Sequence, residues 1–268
     1  MGSRSLGIVR LFVYLAWTMI LVPLQFCAMK LRSPLKRRLP RLYHLVCVRI
    51  FGFRIEVHGK PSTIRPTLFV SNHSSYLDIT VLGSVINGSF VAKAEVSQWP
   101  FFGFLANLQE TVYVNRKARH DAARQRDDMR SRLNAGDNLI LFPEGTSSDG
   151  NRTLPFKSAL FAVANMTNGE QPLTVQPVSI TATHLDGVPL GWMWRALYAW
   201  YGDMDLAPHL WSAVQLRRLK IVVEFHPIVT IEEFSSRKAL ADHCWRVIAI
   251  GVDRAIGGRN RTEPSPAA

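Results

Sequence analysis

Residues 11–29 (LFVYLAWTMILVPLQFCAM) contain no charged side chain. As a helix this run rises about 28 Å, close to the hydrocarbon thickness of a bilayer. A folded chain must bury such a stretch on all sides or give part of it to lipid. Its flanks favour lipid. Arg10 precedes the run, and Lys30, Arg32, Lys36, Arg37, Arg38 and Arg41 follow it. A core helix gains nothing from six cations beyond its end, whereas anionic headgroups attract them. A cleaved secretory signal does not fit, because the basic cluster lies after the apolar run and no small-x-small site follows. Gln25-Phe26 before Cys27 is equally unlike a lipoprotein signal. The run is therefore expected to anchor the chain, either spanning the membrane or lying in its interface. Thr18, Pro23 and Gln25 count against spanning. The cations place the folded part on the cytoplasmic side of the inner membrane.

The net charge of +12 has the same origin. Ten Lys/Arg precede the first acidic residue, Glu56, and the rest of the chain carries 22 basic against 20 acidic groups. A nucleic-acid binder spreads its excess over a folded face, so no nucleic-acid partner is expected. Cys27, Cys47 and Cys244 are too widely spaced for a disulfide framework or a zinc site and fit a reducing compartment. With 47% hydrophobic and 19% charged residues, the body is far from disordered composition. The expected organisation is an arm over 1–41, one domain over 42–256, and a disordered polar tail over 257–268.

Within the body, short apolar runs alternate with helical patterns. Strands are expected over 53–57, 68–70, 89–92, 111–114, 138–142, 175–180 and 221–225. Helices are expected after Leu77, over 118–133, from Pro155 through Val163, and over 237–254, with a capping box at Thr230–Glu233. The segment around Trp99–Leu105 reads as bent and buried. This alternation predicts an α/β fold, a layered mixed sheet with flanking helices.

Residues 67–78 (TLFVSNHSSYLD) concentrate the chemistry. Leu68-Phe69-Val70 is a short buried strand, polar residues break it, and an apolar helical pattern resumes at Leu77. His73 and Asp78 thus sit where a strand hands over to a helix, the edge at which α/β folds bind ligands. An imidazole whose tautomer a carboxylate fixes is a general base. Ser71, Ser74 and Ser75 read as turn and cap residues. Two other strand ends carry Arg116 and Glu144-Gly145-Thr146. In a largely parallel sheet a base, a cation and a carboxylate would meet at one edge. Alone, each has a plain alternative: a capping histidine, a solvated arginine, an ordinary turn.

Together these segments resemble the glycerolipid acyltransferases, the family that includes 1-acyl-sn-glycerol-3-phosphate acyltransferase. Asn72-His73-Ser74-Ser75-Tyr76-Leu77-Asp78 is similar to the family's first motif, with its H-x4-D spacing. Tyr113-Val114-Asn115-Arg116 is similar to the second, with Tyr113 where Phe is commoner. Phe142-Pro143-Glu144-Gly145-Thr146-Ser147 is similar to the third and most specific motif, and Val175-Gln176-Pro177-Val178 to the loose fourth. Lys93 and the Trp99–Gly103 segment also fall at family positions. The likeness covers residues 55–182 in the family's order.

The resemblance implies transfer of an acyl group from acyl-CoA or acyl carrier protein to the free hydroxyl of a lysolipid, with no cofactor beyond that co-substrate. It assigns His73 and Asp78 to catalysis and Arg116 to the acceptor's phosphate. It also assigns Glu144, Gly145 and Thr146, with Lys93 as a weaker candidate, to substrate binding. The first expectation for the acceptor is lysophosphatidic acid, giving phosphatidic acid. Lyso-ornithine lipid or another lysolipid is the alternative, and a non-catalytic membrane lipid-binding protein is the alternative of another class. No metal is expected, since His73 lacks a partner at ligand spacing. The aromatic stretch from Gly191 to Trp211 lies outside the shared motifs and reads either as core or as a headgroup-level surface.

Overall fold

The computed structural model describes residues 2–114, 122–168 and 171–258. In chain order its elements are α1 (Arg4–Lys30), α2 (Leu39–Ile50), β1 (Phe53–His58), β2 (Thr67–Ser71), α3 (Leu77–Val85), β3 (Ser89–Lys93), α4 (Phe102–Leu108), β4 (Val112–Val114) and α5 (Ala122–Asn134). They continue with β5 (Leu139–Leu141), β6 (Thr167–Asn168), β7 (Gln171–Pro172), β8 (Thr174–Leu185), β9 (Val188–Pro189), α6 (Leu206–Gln215), β10 (Leu219–Phe225) and α7 (Arg237–Ile256).

One sheet organises the fold, in the order β1-β10-β8-β2-β5-β3-β4, with β9 folded back on β8. β8, β2, β5, β3 and β4 run parallel to one another. β10 is antiparallel to β8, and β1 is parallel to β10, so the far edge runs the opposite way. The expected layered mixed sheet is the fold found.

Apolar runs without alternation mark central strands covered on both faces. In β2, Leu68 and Val70 face one core with Leu139, Leu141, Leu133 of α5 and Leu240, Cys244 and Ile248 of α7. Phe69 and Ile140 face the other, with Val81 and Leu82 of α3 and Cys47 and Val48 of α2. The two-residue side-chain period of a strand divides the set this way. Because β2, β3 and β5 are parallel, the residues that follow these three strands emerge at one edge.

Some expectations need correction. No helix starts at Pro155; a 3₁₀ segment, Ser158–Asn165, begins beyond it. The Lys157 N–H donates to Pro143 O at 2.9 Å, fastening this strip to the third-motif loop before helical turns begin. The capping box expected at Thr230–Glu233 is present and closes one 3₁₀ turn, Ile231–Glu233. The last helix, which starts at Arg237 as expected, is capped by Ser236, whose Oγ accepts the Ala239 N–H at 3.2 Å. The Trp99 segment is bent, with Phe101 at φ +64°, but not wholly buried: Phe101 and Phe104 are 42% and 50% exposed. Residues 115–121, with Arg116, and 259–268, most of the expected tail, lie outside the described residues.

Helix α1 packs along the body against α2 and α6. Its buried residues, Gly7, Arg10, Thr18, Leu21, Gln25 and Ala28, form one stripe at three- and four-residue steps once half-buried Tyr14 is counted between Arg10 and Thr18. Leu11, Phe12, Leu15, Met19, Ile20, Leu24 and Phe26 are exposed. Within the uncharged run, Thr18 and Gln25 lie on the buried stripe while most of the large apolar side chains face outward. Arg10 is therefore no headgroup-facing flank. Its guanidinium donates to Val214 O at 3.0 Å, Arg217 O at 2.8 Å and also Leu216 O, closing the C-terminal end of α6. The basic cluster is also partly spent on the protein. Lys36 pairs with Glu110 at 2.9 Å and Arg37 with Asp137 at 2.7 Å.

Candidate active site

The turn between β2 and α3 is built by its own side chains. Asn72 is buried, and its amide forms a double hydrogen bond with the Ile180 backbone, Nδ2 to O and N to Oδ1, both at 2.9 Å. The side chain thus continues the β2–β8 ladder one step past Ser71 and fixes where the chain leaves the sheet. Ser75 Oγ accepts the Leu77 N–H at 3.3 Å, the turn role expected of it.

Asp78, in the first turn of α3, is fully buried. Its Oδ2 accepts three bonds: from His73 Nδ1 at 2.9 Å, Ser74 N at 2.7 Å and Ser75 N at 2.9 Å. Its Oδ1 accepts the Tyr198 hydroxyl at 2.6 Å. A carboxylate at a helix N-terminus meeting free N–H groups is well solvated without water. Because Asp78 accepts from Nδ1, the neutral imidazole carries its proton there and its lone pair on Nε2. Nε2 makes no hydrogen bond among the described residues, and the ring is 22% exposed. Phe142 stacks on the ring at 4.2 Å between centroids, and Phe90 stacks on Phe142 in turn. The imidazole is thereby held between an apolar plate and a carboxylate, with one nitrogen open.

Glu144 reaches the same turn from β5. It is 2% exposed, and its Oε1 accepts the His73 N–H at 3.1 Å. Burial pushes its carboxyl up to about 8, the amides of His73 and Leu154 pulling the other way and Asp78 adding to the rise. The side chain is turned in to brace the histidine backbone. Gly145 follows at φ +81°, a left-handed conformation natural to glycine, and Thr146 is exposed. Ser148 N–H donates to His73 O at 2.8 Å, so the third motif and the residue just after it clamp the first from two sides. Lys93 ends β3 at the same sheet edge with its side chain exposed. Arg116 lies outside the described residues, so its placement is not drawn.

Tyr198 was not singled out by the sequence. It lies in the aromatic stretch, which turns out to be divided: Tyr198 is 1% exposed, while Trp192 and Trp194 are 72% and 64% exposed. Trp200 N–H donates to Ser74 O at 2.8 Å, so this stretch forms a wall of the site. Only the reciprocal need of a buried carboxylate for donors could have pointed to a buried tyrosine there.

Beside the turn opens a cavity of about 190 Å³ between α1, α2, α3, α4 and α6. Its lining is almost wholly apolar and includes Leu21, Tyr43, Leu77, Thr80, Phe102 and Leu210. Tyr76, Leu77 and Phe90 belong both to this wall and to the surroundings of His73.

An α/β sheet with an oriented imidazole at its parallel edge, open on Nε2 and next to a narrow apolar cavity, can take a proton from a hydroxyl presented with an aliphatic chain. Comparison with known proteins gives the same class. Residues 54–181 match the model of the Acyltransferase family. The chain is 42% identical over 265 residues to the lyso-ornithine lipid O-acyltransferase of Brucella abortus (strain 2308), covering 96% of this chain and 99% of that one. It is 33% identical over 186 residues to the 1-acyl-sn-glycerol-3-phosphate acyltransferase of Neisseria gonorrhoeae, 69% of each chain. The crystal structure of the 1-acyl-sn-glycerophosphate (LPA) acyltransferase, PlsC, from Thermotoga maritima shares the fold, with a TM-score of 0.64 at 22% identity over 97% of this chain and 100% of that one. The chain belongs to the Acyltransferase family, and it is an enzyme of that kind.

Proposed function

We propose that the protein transfers a fatty acyl group from a thioester donor to the free hydroxyl of a lysolipid, and that the acceptor is lyso-ornithine lipid. The acceptor reading rests on one observation: 42% identity over almost the whole of both chains to an enzyme named for that substrate. The first expectation, lysophosphatidic acid, has the support of a relative that is 33% identical over 69% of each chain, and it becomes the second reading.

In this mechanism His73 Nε2 removes the acceptor's hydroxyl proton as the oxygen attacks the thioester carbonyl. Asp78 stabilises the imidazolium that forms. Collapse of the tetrahedral intermediate breaks the C–S bond, and the proton passes from His73 to the leaving thiolate. The nucleophile belongs to the substrate, so the chemistry needs no reactive serine or cysteine of the protein. The apolar cavity beside Tyr76 and Leu77 takes an acyl chain. Arg116 and Lys93 are assigned to the acceptor's anionic group or the donor, and Gly145 and Thr146 to the acceptor's polar head.

The enzyme works at a membrane surface. Helix α1 is held to the body from Arg10 at α6 to Gln25, whose Nε2 donates to Leu108 O at 2.7 Å. A helix fastened along so much of its length cannot cross a bilayer alone, so its exposed apolar face lies in the interface. The positive flank orients the body to the cytoplasmic side.

The test is a turnover assay with both acceptors and both donors, acyl-CoA and acyl carrier protein, using wild type and His73→Ala. Acylation of lyso-ornithine lipid that His73→Ala abolishes is expected. Turnover of lysophosphatidic acid alone would overturn the acceptor, and full turnover by a folded His73→Ala would overturn the mechanism.

A further inference from the structure

We infer that Tyr198 is a positioning residue for the reaction, acting through Asp78 from outside the motif segments. The inference rests on the proposed roles of His73 and Asp78 and adds a group that those motifs do not contain.

The hydrogen bonds of Asp78 are unevenly divided. Oδ2 is engaged by three N–H donors, all from the turn that bears His73, whereas Oδ1 has one donor, the Tyr198 hydroxyl at 2.6 Å. A carboxylate with one oxygen crowded and the other unmet would rotate to share its charge among the donors. Rotation would carry Oδ2 off the His73 Nδ1–H direction. The phenol prevents it by giving Oδ1 its own partner. Asp78 is fully buried, so no water is at hand to replace that donor.

Tyr198 is suited to this task. It is 1% exposed, and its ring packs edge-on against Phe53 at 6.3 Å, so the hydroxyl is aimed by the core. Burial, with Asp78 nearby, raises the phenol well above its usual range, so it remains a donor at working pH. The segment is itself tied to the turn. Trp200 N–H donates to Ser74 O at 2.8 Å, two residues beyond Tyr198. Arg195 Nη1 donates to Ala182 O at 3.0 Å, three residues before it. The phenol thus presses on the carboxylate from a strip anchored on both sides.

The test compares Tyr198→Phe in wild type and in the Asp78→Asn background. Phenylalanine keeps the ring against Phe53, and an unchanged melting temperature in detergent would verify the packing. In wild type, kcat is expected to fall about ten- to a hundredfold, the value of one hydrogen bond to a charged group. KM for acceptor and donor should stay within about twofold, because the phenol acts on the carboxylate and not on substrate binding. In the Asp78→Asn background the same change should cost less than about threefold, since a group acting through a carboxylate loses its lever with the charge. Replacement by 4-aminophenylalanine, which restores an N–H donor at that place, should recover part of the loss.

Equal losses in both backgrounds, or a rise in KM alone, would mean that Tyr198 only supports the fold, and the inference would fall. It would fall too if Tyr198→Phe turned over at the wild-type rate. If His73→Ala remained active, the failure would belong to the base mechanism beneath it.

Discussion

Replacing Asp78 by asparagine separates the charge of this residue from its hydrogen bonds. The structure says how the amide will sit. Three N–H donors converge on Oδ2, so the amide oxygen takes that place and the NH2 group turns toward Tyr198, whose oxygen can accept. The imidazole then keeps its proton on Nδ1 and its open Nε2, and the turn keeps its shape. What is lost is the negative charge facing the imidazolium formed during proton transfer. At about 4 Å and an effective dielectric near 20, that attraction is worth about 4 kcal/mol. The expected loss in kcat is therefore about 10³-fold, with the melting temperature in detergent little changed. Alanine at the same place should behave differently. It strands the buried Ser74 and Ser75 N–H groups and the Tyr198 hydroxyl, at about 1–3 kcal/mol for each unmet group. Asp78→Ala should thus lose both activity and stability. Steady-state kinetics with a saturating acyl donor, alongside thermal unfolding, reads both. An Asp78→Asn enzyme within tenfold of wild type would refute the reasoning, since the carboxylate's charge would then contribute almost nothing.

Three further outcomes follow from the geometry. The carboxyl of Glu144, raised to about 8 chiefly by burial, is protonated in the folded state but ionised in the unfolded chain above its ordinary pKa near 4.5. The stability it contributes is thus complete below pH 4.5 and is lost as pH rises toward 8, at up to about 1.4 kcal/mol per pH unit. Urea unfolding in detergent should show this decline in wild type and a flatter profile in Glu144→Gln; parallel profiles would contradict it. Arg10→Met removes the donor to three carbonyls at the end of α6, at a cost on the order of 3 kcal/mol. It should lower the melting temperature while leaving vesicle binding intact, and an unchanged melting temperature would argue against the buried cap. Thr80→Trp or Leu210→Trp narrows the apolar cavity and should shift donor preference to shorter acyl chains, measured as the kcat/KM ratio of decanoyl to palmitoyl donors. An unshifted ratio would remove the cavity from the acyl path.

How much of this was legible in the sequence depends on how local each contact is. His73 and Asp78 lie five residues apart, and a strand-to-helix turn suffices to bring them together, so the pair was visible locally, though it took the other motifs beside it to give that spacing weight. Glu144 needed one further idea, that parallel strands deliver their ends to one edge, and the β2–β5 pairing supplies it. Its orientation was not legible: the sequence shows a carboxylate at an edge, while burial and the His73 amide decide that it faces inward. Tyr198 reaches Asp78 across 120 residues. Nothing near it in the chain separates it from the exposed tryptophans a few positions away. Pro155 misled for a related reason, since a favourable first-turn residue cannot outweigh a backbone bond that holds Lys157 to Pro143.

The anchor shows the same limit with the opposite sign. Thr18 and Gln25 read as flaws in an apolar helix, and they are flaws only if every side faces lipid. In the fold they lie on the stripe that faces protein. Thr18 Oγ1 donates to Tyr14 O at 2.8 Å, while Gln25 Nε2 donates to Leu108 O and to Lys36 O. A helix between water and a protein core would arrange itself the other way, apolar stripe inward and polar residues outward. The placement of Thr18 and Gln25 fits the proposed setting, in which the outer medium is apolar. There the apolar face needs no cover, and each polar side chain must find its partner within the protein. The polar residues of this arm thus do not weaken the membrane reading. On the proposed attachment, they mark which side of the helix is turned away from the lipid.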